Sequence, residues 1–235
     1  MGRRKVRFSL GFSHGSVLDI GRSVPQFAAM FMLLAAAQLA SPAPIHFEDW
    51  FGSYDYPSDL FDENRGTAFQ APTQTLVDSA GKTFGCRVET PSGSPQVDAL
   101  ACAIILKKGR FEPARWSDGS PVPGLHRQVI SFGFFGDQQP ILSDVEVEVA
   151  SLPPGTKSPA FVRVAFASEA DGKITDCRGD PPAWVKIKPP DPSLFSVACS
   201  VVRAQWKPFT VLDPSGKPTR SVQTASVKFT VPKRR

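Results

Sequence analysis

The chain has 235 residues, 41% of them apolar, with 23 prolines, 18 glycines and a formal net charge of +5. The length suffices for one large domain or two small ones, and the Pro and Gly content favours turns over long helices. The basic excess sits in the first 40 residues, which hold Arg3, Arg4, Lys5, Arg7 and Arg22 against Asp19 alone, and the remainder carries 22 basic and 21 acidic residues. So even a balance excludes the electrostatic footprint of a phosphate-backbone binder, and no nucleic acid is expected as partner.

Residues 27–40 contain a single polar side chain, Gln38. The run is short for a spanning helix, which needs about 20 apolar residues, and it suits the core of an export signal. Small residues place cleavage after Ala37 or Ala40. Retained, the same run would anchor the chain in a membrane, and both readings of residues 1–40 stay open. No cysteine follows the apolar run, which argues against a lipid-anchored lipoprotein. Residues 41–54 read as a linker.

A first unit is expected over 55–138. Asp55-Tyr56-Pro57 opens it, with a short helix at 58–64 stopped by Gly66. Residues 67–78 read as a strand, with Pro72 demoting it to an edge strand or to one with a bulge. Ser79-Ala80-Gly81-Lys82 is a hairpin turn, and 83–89 is the return strand with Phe84, Cys86 and Val88 on one face. Ser94 caps a helix and Pro95 fits its first position, where no amide donor is needed. Val97, Leu100, Ala101, Ile104 and Ile105 then mark one buried stripe. Lys107 and Lys108 suit the negative end of the helix dipole, and Gly109 ends the helix. A last strand at 125–134 turns Ile130, Phe132 and Phe134 inward.

The pattern is then written again. Gly81-Lys82, Cys86, Cys102, Phe111, Pro113, Gly119 and Pro121 recur as Gly172-Lys173, Cys177, Cys199, Trp206, Pro208, Gly216 and Pro218. The offset is 91 between the first cysteines and 97 between the second. A second unit over 139–235 has an alternating strand at 144–149, a hairpin over 161–178, and a helix capped by Asp191. That helix buries Leu194, Val197, Ala198, Val201 and Val202, and a last strand carries Ala225, Val227, Phe229 and Val231. The unit boundary falls near 136–140. The fold class is α+β: two tandem two-layer units, each a three-stranded antiparallel sheet with one packed helix.

All four cysteines fall inside the repeat, and an export signal permits disulfides. Four cysteines allow three pairings. The duplication favours Cys86–Cys102 and Cys177–Cys199, with four buried free thiols as the alternative for a chain that stays in the cytosol. Catalytic and metal chemistry find no constellation. The histidines are His14, His46 and His126, with no Cys-x-x-Cys or His-x-x-x-His spacing, and no nucleophile elbow or phosphate-binding loop is present. No enzyme activity, cofactor or metal is expected.

Tyr56-Pro57, Asp78 with Gly81-Lys82, Ser92-Gly93-Ser94 with Val97-Asp98 and Ala101, Arg110-Phe111-Glu112-Pro113-Ala114-Arg115, and Asp118-Gly119-Ser120-Pro121-Val122 together resemble the C-terminal domain of TonB-like proteins. The resemblance covers about residues 55–135, and residues 145–231 are similar in a degenerate form. It implies a periplasmic protein-binding module that adds a partner's extended segment to a sheet edge, as in strand augmentation. The partner would be a protein or peptide of the cell envelope, such as a segment of an outer-membrane receptor. Candidate receiving strands carry Ile130, Phe132 and Phe134 in the first unit and Val227, Phe229 and Val231 in the second. The alternative is an inner-membrane-anchored energy transducer. Residues 41–54 reach at most about 50 Å when extended, too short for the spacer of such a transducer. Membrane contact is expected only if residues 27–40 are retained. Pairing of the C-terminal strands of two copies would give a homodimer.

Overall fold

The chain enters the fold earlier than its sequence suggests. In this computed structural model the described residues are 38–52, 55, 69–132, 143–180, 190–213 and 215–232. The leader through Ala37, Tyr56-Pro57 with the helix expected at 58–64, and the boundary expected at 136–140 lie outside them. Strand β1 (Ala43–Pro44) is followed by a 3₁₀ turn at Phe47–Asp49. Pro42 and Trp50 are buried, and the Trp50 indole donates to the Ile45 carbonyl at 3.0 Å. The segment read as a linker is therefore packed structure over 41–51, because its spaced apolar residues find partners in the unit that follows.

The first hairpin joins β2 (Phe69–Val77) to β3 (Thr83–Val88). Asp78 makes the turn, its carboxylate accepting from the amides of Ala80 and Lys82, both at 2.9 Å. Gly81 takes φ 82°, where a Cβ would lie 2.0 Å from the Phe111 carbonyl oxygen. Leu76 pairs with Gly85 and Val77 with Thr83, so Phe84 is bulged out of the ladder. Pro72 does not make β2 an edge strand: β2 lies between β3 and β7 (Gly124–Phe132). The missing donor falls where β3 has ended at Val88, so a single bond from the Glu89 amide to the Pro72 carbonyl closes the ladder.

Helix α1 (Pro95–Lys108) starts as its sequence dictates. The Ser94 hydroxyl accepts from the Val97 amide at 3.4 Å, and Val97, Ala101, Ile104 and Ile105 are buried. They pack on Phe69, Ala71, Ile130 and Phe132 and under Trp50 and Phe111. Two short ribbons follow: β4 (Phe111–Glu112) pairs back to β1, and β5 (Ala114–Arg115) pairs with β6 (Pro121–Val122).

The second copy repeats the order after β8 (Val145–Glu148). It runs β9 (Ala160–Ser168), β10 (Ile174–Gly179), α2 (Pro192–Gln205), β11 (Val211–Leu212), β12 (Pro218–Thr219) and β13 (Ser221–Thr230). Thr175 is skipped in the β9–β10 register just as Phe84 is in the first copy. Leu194, Ala198, Cys199 and Val202 are buried against Val162, Val164, Phe166, Val227 and Phe229. Each fully buried apolar side chain of this size contributes about 1.5–3 kcal/mol. Val197, expected in the stripe, is exposed. Phe195 takes a place against this core instead, lying so close to Gly179 that a Cβ there would meet its ring at 2.5 Å.

The two copies share one seven-stranded sheet in the order β10-β9-β13-β7-β2-β3, with β8 on the same edge of β13 as β7, farther along the strand. The seam is one parallel contact, Val222 opposite Gly124, with the Val222 amide bonded to the Pro123 carbonyl at 3.1 Å. Gly124 admits no side chain, since a Cβ would sit 2.4 Å from Pro42 Cγ and 2.7 Å from Ala114 Cβ. Beyond the seam β7 and β13 part, and β8 pairs with Val227, Lys228, Phe229 and Thr230 of β13. Residues of even number on β7 face α1, and residues of odd number on β13 face α2. Val222 and Gly124 are both even, so the helices cover opposite faces of the sheet.

Each bare face is covered by the post-helix segment of the other copy. Ala114 and Val122 pack on Ala165, Ala167 and Val222, and Arg87 lies over the Phe209 ring at 4.9 Å. Disulfides join Cys86 to Cys102 and Cys177 to Cys199, with Cα atoms 5.4 and 5.6 Å apart. Each staples the helix to the outermost strand of its copy. Closing loops of 16 and 22 residues contributes about 3 kcal/mol apiece by loop-closure entropy. Replacing Cys177 and Cys199 together by Ser should lower the free energy of unfolding by about that amount. Urea titration checks it: the midpoint should fall, and the slope should rise as the uncrosslinked unfolded chain exposes more surface.

Candidate partner-binding edges

Strand addition needs a backbone edge that no neighbour uses, so the ladders decide which strands qualify. β13 does not. Val227 and Phe229 pair with Val162 and Ala160 of β9 on one side and with Val145 and Val147 of β8 on the other. Their side chains are buried beneath α2. Val231 lies past the end of the strand and donates its amide to the Ser158 hydroxyl at 3.2 Å. The expectation that Val227 and Phe229 mark a receiving strand is thus corrected: β8, which the sequence showed as an alternating strand, occupies that edge. Ile130 and Phe132 lie on β7, which β2 pairs along its whole length on one side and β13 meets at Gly124 alone on the other, and both side chains are buried under α1. Phe134 lies outside the described residues.

The outermost strands of the sheet are β3 and β10, each paired on one side only among the described residues. On β3 the Glu89 amide points inward to Pro72 at 2.7 Å, so alternation turns the amides and carbonyls of Val88 and Cys86 outward. The bulge beside them pushes Phe84 into solvent, 45% exposed, and Leu106 on the adjacent last turn of α1 is 44% exposed. Thr83, whose hydroxyl bonds the Leu106 carbonyl at 3.4 Å, ties the two elements together. On β10 the Asp180 amide points inward to Arg163 at 3.0 Å, which turns Cys177 and Gly179 outward. The residues equivalent to Phe84 and Leu106, counted from the cysteines, are Thr175 and Arg203. One edge is flanked by apolar surface and the other by polar surface.

Between the copies lies a buried charge cluster. Arg127, 8% exposed at its side chain, donates Nε and Nη2 to Glu89 at 2.5 and 2.6 Å and Nη1 to Asp144. Asp144, 5% exposed, also accepts the Ser226 amide at 2.7 Å. The Arg127 guanidinium lies 5.8 Å above the Trp206 ring. Burial pulls the pKa of Arg127 down, but the hydrogen bonds to Glu89 and Asp144 outweigh it and hold the group above its ordinary value. The cluster fixes β8 and β13 to β7 and therefore fixes the sheet that carries both edges.

His126 is the other buried polar group. Its Nδ1 meets the Pro42 carbonyl at 3.0 Å, its Nε2 meets Gln128 Oε1 at 3.2 Å, and its ring lies 5.1 Å from that of Phe111. Burial, aided by the charge of Arg163 and opposed by the bonds to Pro42 and Gln128, lowers its pKa to about 4. No group of three or more His, Cys, Asp or Glu side chains is placed to hold a metal ion among the described residues. The chain matches no family model, no curated protein and no solved structure.

Two outcomes follow from these groups. Arg127→Met leaves Glu89 and Asp144 buried without a counter-charge and should cost about 3–5 kcal/mol of stability, read from denaturant unfolding at neutral pH. For His126, an unfolded imidazole titrates near 6.5 and the folded one near 4. Between those values the unfolded chain binds the extra proton. The contribution of His126 is therefore complete above about pH 6.5, falls as pH drops toward 4, and amounts to roughly 3 kcal/mol in all. His126→Gln should flatten that part of the profile, and parent and variant profiles of the same steepness between pH 4.5 and pH 7 would sink the assignment.

Proposed function

We propose that the protein is an exported binding module of the cell envelope that captures an extended segment of another protein by strand addition at the open edge of β3. The observation that carries the reading is that edge: outward amides and carbonyls at Cys86 and Val88, flanked by the exposed side chains of Phe84 and Leu106. Main-chain bonds would supply affinity and the two apolar side chains would select the segment. The resemblance of residues 55–135 to TonB-like C-terminal domains supports the same mode of binding. The tandem arrangement of two three-stranded units with one helix each belongs to that reading. The second copy then serves as a brace, since its own edge is polar at Thr175 and Arg203 and its last strand is closed by β8.

A periplasmic site fits the two disulfides, which form in oxidising compartments. No helix among the described residues is long and apolar enough to cross a membrane. If residues 27–40 stay attached, the same edge would work from a membrane-anchored chain, which is the arrangement of an energy transducer.

The test uses a photo-crosslinking phenylalanine at position 84 of the full chain, activated in an intact envelope, with the adduct mapped by mass spectrometry. One partner segment should be captured at 84, and the same probe at 175 should capture none. Val88→Pro removes an outward donor without touching the β2 ladder and should abolish the adduct. An adduct that survives this change, in a protein with unaltered thermal unfolding, would rule out strand addition at β3.

A further inference from the structure

Residues 38–45 form a strap that binds both copies. Leu39 is 2% exposed and sits among Ala114 and Val122 of the first copy and Ala165, Ala167 and Val222 of the second. Ala40 exchanges two backbone hydrogen bonds with Arg115, both at 2.9 Å. The Ser41 hydroxyl donates to Asp180 at 2.8 Å, and the Pro42 carbonyl meets the buried His126. Further on, Ala43 and Pro44 pair with Glu112 and Phe111, and the Ile45 amide bonds the Arg110 carbonyl at 2.9 Å. Gln38 is the first described residue, and its side-chain oxygen accepts from Arg178 while its residue as a whole is exposed.

We infer that the leader is removed by hydrolysis of the Ala37–Gln38 peptide bond, the last position that leaves the strap whole. Water adds across that bond, the new carboxylate departs on Ala37, and the new amino group stays on Gln38. Cleavage after Ala40, the other candidate position, would discard Leu39 and the Ala40–Arg115 pair and open the cluster between the copies. The sequence agrees once the two sites are compared. A cut after Ala37 puts alanine at the first and third places before the bond, Ala37 and Ala35, the small-x-small pattern that signal peptidases read. A cut after Ala40 puts Gln38 at the third place. This inference rests on reading residues 1–40 as an export signal and is independent of strand capture at β3.

Intact-mass measurement on the full chain, expressed in a Gram-negative host and recovered from the periplasm, tests it. The mature protein should begin at Gln38. A mature protein that begins at Ser41, or one that keeps its leader, overturns the inference. In pulse-labelled cells, where processing is read before folding matters, Ala37→Tyr should leave the precursor uncut. Ala40→Tyr should be processed at the parent rate, and the reverse ranking also overturns the inference. Purified chains starting at Gln38 and at Ser41 supply a second readout. The longer one should melt several degrees higher, and equal melting temperatures would show that the strap is dispensable. A leader-retaining chain that still yields the crosslink at position 84 would end this inference and leave the proposed function standing.

Discussion

The arrangement of the two copies depends on one guanidinium. Arg127 stands where β7 and β13 begin to part, with Glu89 of the first copy on one side, Asp144 of the second on the other, and the Trp206 ring beneath. A charge this deeply buried is tolerable only when it is paired, and the fork of Arg127 meets two carboxylates at once through three hydrogen bonds. Asp144 in turn holds the Ser226 amide, so the same ion cluster sets where β8 begins to pair with β13. The seam itself is a single residue pair, Val222 with Gly124. The ion cluster acts there together with the packing of Leu39, Ala114 and Val122 on Ala165, Ala167 and Val222.

The repeat is solved twice with different chemistry. His126 and Gln223 occupy equivalent places, 97 residues apart, and both are buried. His126 reaches across to the strap and holds the Pro42 carbonyl. Gln223 reaches the post-helix segment of its own copy, accepting the Phe209 amide at 3.0 Å and donating to the Phe209 carbonyl at 2.6 Å. A polar side chain at this place ties down whatever backbone crosses the end of the sheet. In the first copy that backbone comes from the N-terminus, and in the second it is local.

Local chemistry was legible in the sequence. Asp78 and Asp171 before their glycines, Ser94 and Asp191 as caps, and the cysteine pairing implied by duplication all act within one hairpin or one helix. Their signal sits within a few residues of their effect. What acts between the copies was not legible. Nothing around Val227 announces that β8 will close that edge, and nothing around Gly124 announces a seam. Both depend on a partner far along the chain. Pro72 misled for a related reason, since its cost vanishes only because β3 has already ended opposite it. Residues 41–51 looked like a linker because two-residue strands carry no periodicity, although Leu39, Pro42, Ile45 and Trp50 are spaced apolar residues. The open edge at β3 had a local signal in Phe84, read as an inward residue and exposed beside a bulge that periodicity cannot foresee.

The strap has a further consequence for how the chain acquires its shape. Leu39 is among the first residues of the described chain to be made, and Val222, which it packs against, is among the last. The first copy can form its hairpin and helix from local contacts, but the pocket for Leu39 exists only after the final strand is laid down beside β9. Closure of so long a loop comes late and slowly in a chain of high contact order. Until then Leu39 has no pocket to enter, so the first described segment is among the last to settle.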